Sequence, residues 1–188
     1  MRLDIKGYDT AQAFTGEFET LPPGGYVCRI KDVKIDEANG YRSLVLAFDI
    51  DEGEYECFFR RKYDMNTAEQ KKWPGVFRQP LATGDGSEKD NTKLSFFKGL
   101  ITCIEDSNGF KWDKETDTLK GKLFGVLIRR KEWFSVALGR NIMLNDPFRA
   151  RSVETIRSGK FEIPADYLLA KPSQDNIMPS AFDDDCPF

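Results

Sequence analysis

The sequence contains no histidine among its 188 residues. Histidine is the commonest general base in enzymes, and Ser-His-Asp and Cys-His catalytic groups need it, so these mechanisms are excluded. A phosphate-binding loop of the Gly-x-x-x-x-Gly-Lys-Ser/Thr type is also missing. Gly84-Asp85-Gly86 has no predicted strand before it and no Lys-Ser/Thr after it, so we interpret it as a plain loop. We therefore do not expect an enzyme.

Cysteine is scarce as well. The chain has four, Cys28, Cys57, Cys103 and Cys186, and none of them forms a C-x-x-C pair. Structural zinc sites need ligands paired close together in sequence, so we expect no metal and no cofactor. We expect the first three cysteines to be buried free thiols.

Long apolar runs are also absent. No stretch approaches the ~20 apolar residues that a membrane-spanning helix needs. The start, Met1-Arg2-Leu3-Asp4, lacks the apolar region of a signal peptide. We therefore expect a cytoplasmic protein with no membrane partner, in the bacterial host cytoplasm if a phage encodes it.

The net charge of −3 is unevenly distributed. Segment 171–188 carries one lysine and four aspartates, which accounts for all of it and leaves residues 1–170 neutral. A neutral body argues against bulk attraction to nucleic acid but permits a local basic groove.

Alternating apolar residues predict the first two strands. The first runs from Tyr26 to Ile35, and its parity changes near Lys31-Asp32, which indicates a β-bulge. Asn39-Gly40 favours a tight hairpin turn before the second strand. One face of that strand carries four large apolar residues, Leu44, Leu46, Phe48 and Ile50.

The pattern predicts three further strand regions and two helices. We expect the third strand at 55–62, with Phe58, Arg60 and Lys62 on its solvent face. A short helix is expected from Asn66 or Thr67 to Lys72, and a longer one from Thr92 to Asp106, ended by Asn108-Gly109. The remaining predicted elements are a loop at 81–91, a strand at 122–130 with Gly125 in its middle, and a strand region at 133–156 broken at Asn145-Asp146-Pro147.

This order predicts a mainly β protein. Five strands with a helix between the third and fourth is the order of the OB fold, a five-stranded barrel that binds single-stranded nucleic acid. We expect an N-terminal arm at 1–20, the OB domain at 21–170, and a disordered linker with an acidic tail at 171–188.

Single-strand binding needs cations along the phosphate path and exposed aromatic faces for the bases. The sequence pairs these two kinds of residue in three places, which makes them the candidate binding residues. The three clusters are Phe58, Arg60 and Lys62; Lys71, Lys72 and Trp73, with Phe77 just beyond; and Arg129, Arg130, Lys131 and Trp133. The alternative is that the aromatics pack in the core and the cations form solvated faces.

A second alternative is a metal-dependent nuclease. Asp49, Asp51, Glu54 and Glu56 bracket a turn at Gly53, and carboxylates so placed can hold Mg²⁺ for phosphodiester cleavage. Their alternation fits the outer face of a hairpin equally well.

The tail resembles a known recognition element. Asp183-Asp184-Asp185-Cys186-Pro187-Phe188 is similar to the Asp-Asp-Asp-Ile-Pro-Phe end of bacterial single-stranded-DNA-binding proteins, with Cys186 in place of Ile. The body resembles phage and prophage single-stranded-DNA-binding proteins in Leu-Pro-Pro-Gly-Gly-Tyr at 21–26 and Arg-Ser-Val-Glu-Thr-Ile-Arg at 151–157. A solvated acidic segment without a partner is the alternative.

The resemblance implies an OB barrel that coats single-stranded DNA in replication and recombination. It also implies that the tail binds helicase, primase, polymerase or nuclease partners. The tail's acidity suggests that it can also compete with phosphate for the domain's own groove. An adaptor whose barrel binds protein or RNA stays an open alternative, as does a homo-oligomer.

Overall fold

A computed structural model describes residues 20–38, 41–136 and 139–169. The arm predicted at 1–20, apart from Thr20, and the tail predicted at 171–188 lie outside these residues. The strands are β1 (Gly24–Ala38), β2 (Tyr41–Ile50), β3 (Val76–Pro80), β4 (Leu123–Ser135) and β5 (Arg140–Arg151). The helices among the described residues are α1 (Phe58–Met65), α2 (Glu88–Asn108) and α3 (Val153–Arg157), and a 3₁₀ turn lies at Thr116–Leu119.

The five strands form one antiparallel sheet in the order β3-β2-β1-β4-β5. The bulge predicted near Lys31-Asp32 is confirmed, because the β1–β2 register shifts between Ile30 and Asp32. The predicted turn at Asn39-Gly40 lies outside the described residues, between the paired Ala38 and Tyr41. Although α2 lies between β3 and β4 as predicted, the sheet is not closed.

The main core lies on one face of this sheet, and a smaller buried cluster lies on the other. The alternation predicted for β2 is confirmed, since its four apolar side chains are all almost completely buried. Rings from three elements meet there edge to face, with Phe48 5.2 Å from Phe59 and 5.7 Å from Phe124 between centroids. Cys28 is buried in this core and Cys103 is half-buried, but Cys57 is exposed, so its predicted burial is wrong.

The strand predicted at 55–62 is wrong, because Phe58–Met65 is helix α1. Strand β2 ends at Ile50, and bends and turns lead from there to Cys57, whose φ of 58° is left-handed. Asp49 then stabilises the first turn of α1, since its carboxylate accepts the backbone N–H of Phe59 at 3.0 Å and of Arg60 at 3.2 Å. The true third strand is Val76–Pro80, and the helix predicted up to Lys72 is not formed.

Replacement of Asp49 by alanine is expected to lower the free energy of unfolding by about 2–4 kcal/mol, because it leaves buried N–H groups without an acceptor. The carboxylate is 2% exposed and also accepts the N–H of Ile50 at 2.9 Å. Asp64→Ala on the exposed side of α1 removes only an i,i+4 ion pair with Arg60, so its cost should stay below about 0.5 kcal/mol. Urea unfolding compares the two variants, and equal costs would contradict the capping role of Asp49.

Helix α2 begins at Glu88, one turn before the predicted Thr92, because the Ser87 hydroxyl caps it by accepting the N–H of Asp90 at 3.1 Å. Its predicted end is confirmed, with Gly109 in the left-handed region at φ 61°. The spacing of Leu94, Phe97, Ile101 and Ile104 predicts one apolar stripe along this helix, flanked by Leu100 and Cys103. Leu100, Ile101 and Ile104 are buried, but Leu94 is 54% exposed and does not belong to the stripe.

The predicted break at Asn145-Asp146-Pro147 is wrong, because β5 runs through it. Its pairing with β4 shifts between Leu127 and Ile128, so that Phe148 is the extra residue of a bulge. The short helix α3 after β5 was not predicted, and Ile156 from it packs over Gly125 of β4.

Gly125→Ala is expected to destabilise the fold by about 1–3 kcal/mol through overpacking. A Cβ at Gly125 would collide with the Ile156 side chain and lie 3.0 Å from the carbonyl oxygen of Arg151. Gly99→Ala is the control, because a Cβ there meets nothing within 4 Å and helix α2 gains about 0.5–1 kcal/mol. Thermal unfolding should move the two variants in opposite directions; a stable Gly125→Ala variant would contradict the packing.

None of the helices within the described residues is both long enough and apolar enough to cross a membrane.

Candidate nucleic-acid interface

The β4–β5 hairpin extends past the rest of the sheet. The pairing of β4 with β1 ends at Ile128, whereas its pairing with β5 continues to Ser135. The segment around Tyr167 takes the vacated edge of β4. Its N–H donates to the carbonyl oxygen of Arg130 at 2.8 Å, and its own carbonyl oxygen accepts the N–H of Glu132 at 2.8 Å. Three extended segments therefore form one platform.

Alternation along β4 sorts the hairpin side chains onto two faces. Phe124, Val126 and Ile128 point into the core. Leu127 points to the opposite face, and Arg129, Lys131 and Trp133 continue that face beyond the core. The sequence-predicted third cluster is thus split, because Arg130 lies on the other face.

Cations and aromatic rings alternate on this outer face, and we call Phe148, Arg129, Tyr167, Lys131 and Trp133 the cation–aromatic ladder. The Arg129 guanidinium lies 4.7 Å from the Phe148 ring centroid and 4.9 Å from that of Tyr167. The Lys131 ammonium lies 5.8 Å from the Tyr167 centroid and 5.9 Å from that of Trp133. Such cation–π contacts hold the side chains in order along the hairpin.

The ladder leaves ring surface open to solvent. Trp133 is 43% exposed and Tyr167 is 48% exposed, which is unusual for large rings with only a core-packing role. Arg129 is ion-paired with Asp146 at 2.7 Å. For Lys131 no carboxylate of a described residue lies within ion-pairing distance. The ladder therefore offers two exposed rings on which bases can stack. It also offers at least one cation without an ion-pair partner among the described residues, Lys131, to which a phosphate can bind.

Arg130 anchors the ladder from behind. Its guanidinium donates two hydrogen bonds to the Asp166 carboxylate, at 3.0 Å and 2.6 Å, and these bonds raise the pKa of Arg130. Because Asp166 directly precedes Tyr167, this bidentate pair fixes the segment that places the Tyr167 ring. We interpret Arg130 as a positioning residue.

The first predicted cluster is not assembled as expected. Phe58 is buried in the core, and Lys62 lies over its ring at 5.2 Å on helix α1. Arg60 is ion-paired with Asp64. The prediction that Phe58, Arg60 and Lys62 share one face of a strand is therefore wrong, and the Phe58 ring is closed to bases.

The second predicted cluster is partly structural. The Trp73 indole donates to the carbonyl oxygen of Phe48 at 2.8 Å and packs 5.5 Å from the Tyr63 ring. Phe77 is buried in the core. Lys71 and Lys72 are exposed, with Lys71 5.7 Å from the Tyr63 ring centroid.

Sequence reasoning missed Tyr167 and Phe148. Tyr167 lies in a stretch without strand periodicity, and only its pairing with β4 brings it to the ladder. Phe148 directly follows Pro147, where the sequence predicts a break in the strand. A proline at this position was the available signal, since prolines within sheets lie at edges or bulges.

The candidate nuclease carboxylates do not converge. Asp49 caps α1, and Asp51 is ion-paired with Arg29 at 2.6 Å, which lowers the pKa of Asp51. Glu54 and Glu56 are exposed. Among the described residues there is no group of three or more acidic, histidine or cysteine side chains that could hold a metal ion.

No protein-family model matches this chain, and no curated protein is similar enough to it to count as a relative. The function is therefore inferred from the site's own residues.

Proposed function

We propose that this protein binds and coats single-stranded DNA through the cation–aromatic ladder. The single observation that carries the proposal is the alternation of Arg129 and Lys131 with three aromatic rings on one exposed face. Proteins that bind single strands combine stacking platforms for the bases with cations for the backbone. In this ladder the rings and the cations follow one another at the spacing of side chains on one face of a β-strand.

The fold supports the proposal. A five-stranded antiparallel sheet with a helix between the third and fourth strands is the frame of a partly open OB barrel. In such barrels the loop between the last two strands flanks the nucleic acid, and the ladder lies on the hairpin that leads to that loop. Together with the resemblance of segments 21–26 and 151–157 to phage and prophage proteins, this leads us to infer a phage or prophage type of single-stranded-DNA-binding protein.

We further propose that Asp183–Phe188 recruits replication or recombination proteins. Three carboxylates followed by an apolar Cys-Pro-Phe suit a basic-rimmed apolar pocket on a partner. This role depends on composition alone, since these residues lie outside the described part of the chain.

Tryptophan fluorescence tests the proposal. Trp133 is the most exposed of the three tryptophans, and Trp73 and Trp112 are half-buried, so stacked thymines should quench mainly Trp133. Oligo-dT should quench the wild-type protein, and Trp133→Phe should remove most of that quenching. Equal quenching of both proteins would place the DNA elsewhere and contradict the role of the ladder.

A further inference from the structure

A groove of about 430 Å³ lies between the unpaired edges of β3 and β5, with helix α2 as its floor. Three arginines line it, namely Arg78, Arg149 and Arg151, together with Phe148 and Phe96. Phe96 is 55% exposed. Gly99 of α2 also lines the groove, and an added Cβ there would meet nothing within 4 Å. The groove is thus basic, has aromatic walls and is open to solvent.

Two of the arginines have no ion-pair partner among the described residues. Arg149 and Arg151 form no ion pair with any carboxylate among the described residues, whereas Arg78 is paired with Asp36 at 2.6 Å. Arg149 and Arg151 lie two residues apart on β5 and pair with Leu127 and Gly125, so both extend from the same face. Their Cα atoms are therefore ~6.6 Å apart, a spacing that suits neighbouring phosphates of an extended single strand.

The groove and the ladder meet at one residue. Arg129 of the ladder lies 4.7 Å from the Phe148 ring centroid, and Arg149 of the groove lies 5.9 Å from the same centroid. Phe148 also lines the groove. Phe148 is also the bulged residue of β5, and a bulge bends its strand, so the ladder and the groove share the residue at this bend.

We propose that the groove is a second subsite for the same single strand, in which Arg149 and Arg151 bind consecutive phosphates and Phe96 stacks on a base. This inference rests on the proposed function and extends it by a path from Trp133 through Phe148 to Phe96. Nucleic acid is favoured over an acidic peptide because the groove shares Phe148 with the ladder and adds the exposed ring of Phe96. A peptide is the competing outcome of the test.

Arg149→Ala/Arg151→Ala in the full chain tests the groove. The control is Lys98→Ala/Lys111→Ala, which removes two exposed cations that do not line it. Oligo-dT of ~4 and ~16 nucleotides spans the range of site sizes of OB domains, so the short probe covers the ladder alone. The arginine variant should bind the long probe about 10-fold more weakly, with a salt slope smaller by about 1.4, and the short probe as wild type does.

The outcomes separate the two proposals. If the arginine variant binds the long oligomer as tightly as the control, the groove subsite is wrong and the ladder stands. If the wild-type protein binds neither oligomer, the proposed function itself fails. If the variant loses affinity only for a synthetic peptide of residues 183–188, the groove is a peptide site and our inference is overturned.

Photocrosslinking gives a second measurement that needs no variant. An oligomer of ~16 nucleotides with 5-iodouracil at successive positions should crosslink to Phe96 as well as to Trp133 or Tyr167. Crosslinks confined to Trp133 and Tyr167 would overturn the inference.

Discussion

Replacing Trp133 and Tyr167 together by alanine is expected to weaken binding of oligo-dT by about 30- to 20,000-fold, because each base–aromatic stack contributes ~1–3 kcal/mol. Both rings are about half exposed and lie on either side of Lys131. The loss of affinity should also exceed the loss expected from the removed ring surface alone. Lys131 loses both of the rings that hold its ammonium group over the platform. Fluorescence anisotropy of a labelled oligomer measures this change in affinity.

Phe134→Ala is the matched control. Phe134 follows Trp133 on the same strand and is 50% exposed, but alternation places it on the opposite face of the hairpin. Its removal takes away one half-exposed ring of the hairpin without touching the ladder. If Phe134→Ala and the double variant lower the affinity equally, then binding depends on the stability of the hairpin and not on stacking of bases on the ladder.

Binding is expected to fall about 7- to 50-fold between 50 and 200 mM salt, as released counterions predict for two to four phosphate contacts on a single strand. The contacts are local, because residues 1–170 carry no net charge. Lys131 is the clearest contributor on the ladder, since Arg129 already shares its charge with Asp146.

Lys131→Ala should therefore reduce the salt slope by about 0.7, the contribution of one phosphate contact. Lys98→Ala, which removes an exposed cation from α2, should leave the slope unchanged. A slope near zero for the wild-type protein, or the same slope for the wild-type protein and Lys131→Ala, would remove Lys131 from the phosphate path.

The sequence predicted the elements in which one local signal dominates. Strand β2 follows from strict alternation, the β1 bulge from a change of parity, and the end of α2 from Asn108-Gly109. Segment 55–62 alternates as a strand does, yet it forms a turn followed by the start of α1. Buried Asp49, on a neighbouring element, supplies the acceptors that begin α1, and a local pattern cannot show such a contact.

The site was predictable only in part for the same reason. Arg129, Lys131 and Trp133 share a face because they alternate on one strand, which the sequence shows. Tyr167 joins them through backbone pairing over more than thirty residues of chain, with the Arg130–Asp166 pair as its anchor. Phe58 and Phe77 are buried by three-dimensional packing. The spacing of aromatic and cationic residues along the sequence does not show such packing.

The most direct test of single-strand binding is a titration of the full chain, with Mg²⁺ present, against labelled oligo-dT, a duplex and an RNA oligomer of equal length at two salt concentrations. We predict salt-dependent binding of the DNA single strand, at least about 10-fold weaker binding of the duplex, whose stacked bases cannot reach the rings, and no cleavage. Tighter binding of the duplex, tighter binding of RNA than of DNA, no binding of any of the three, or cleavage of the oligomer would contradict the account.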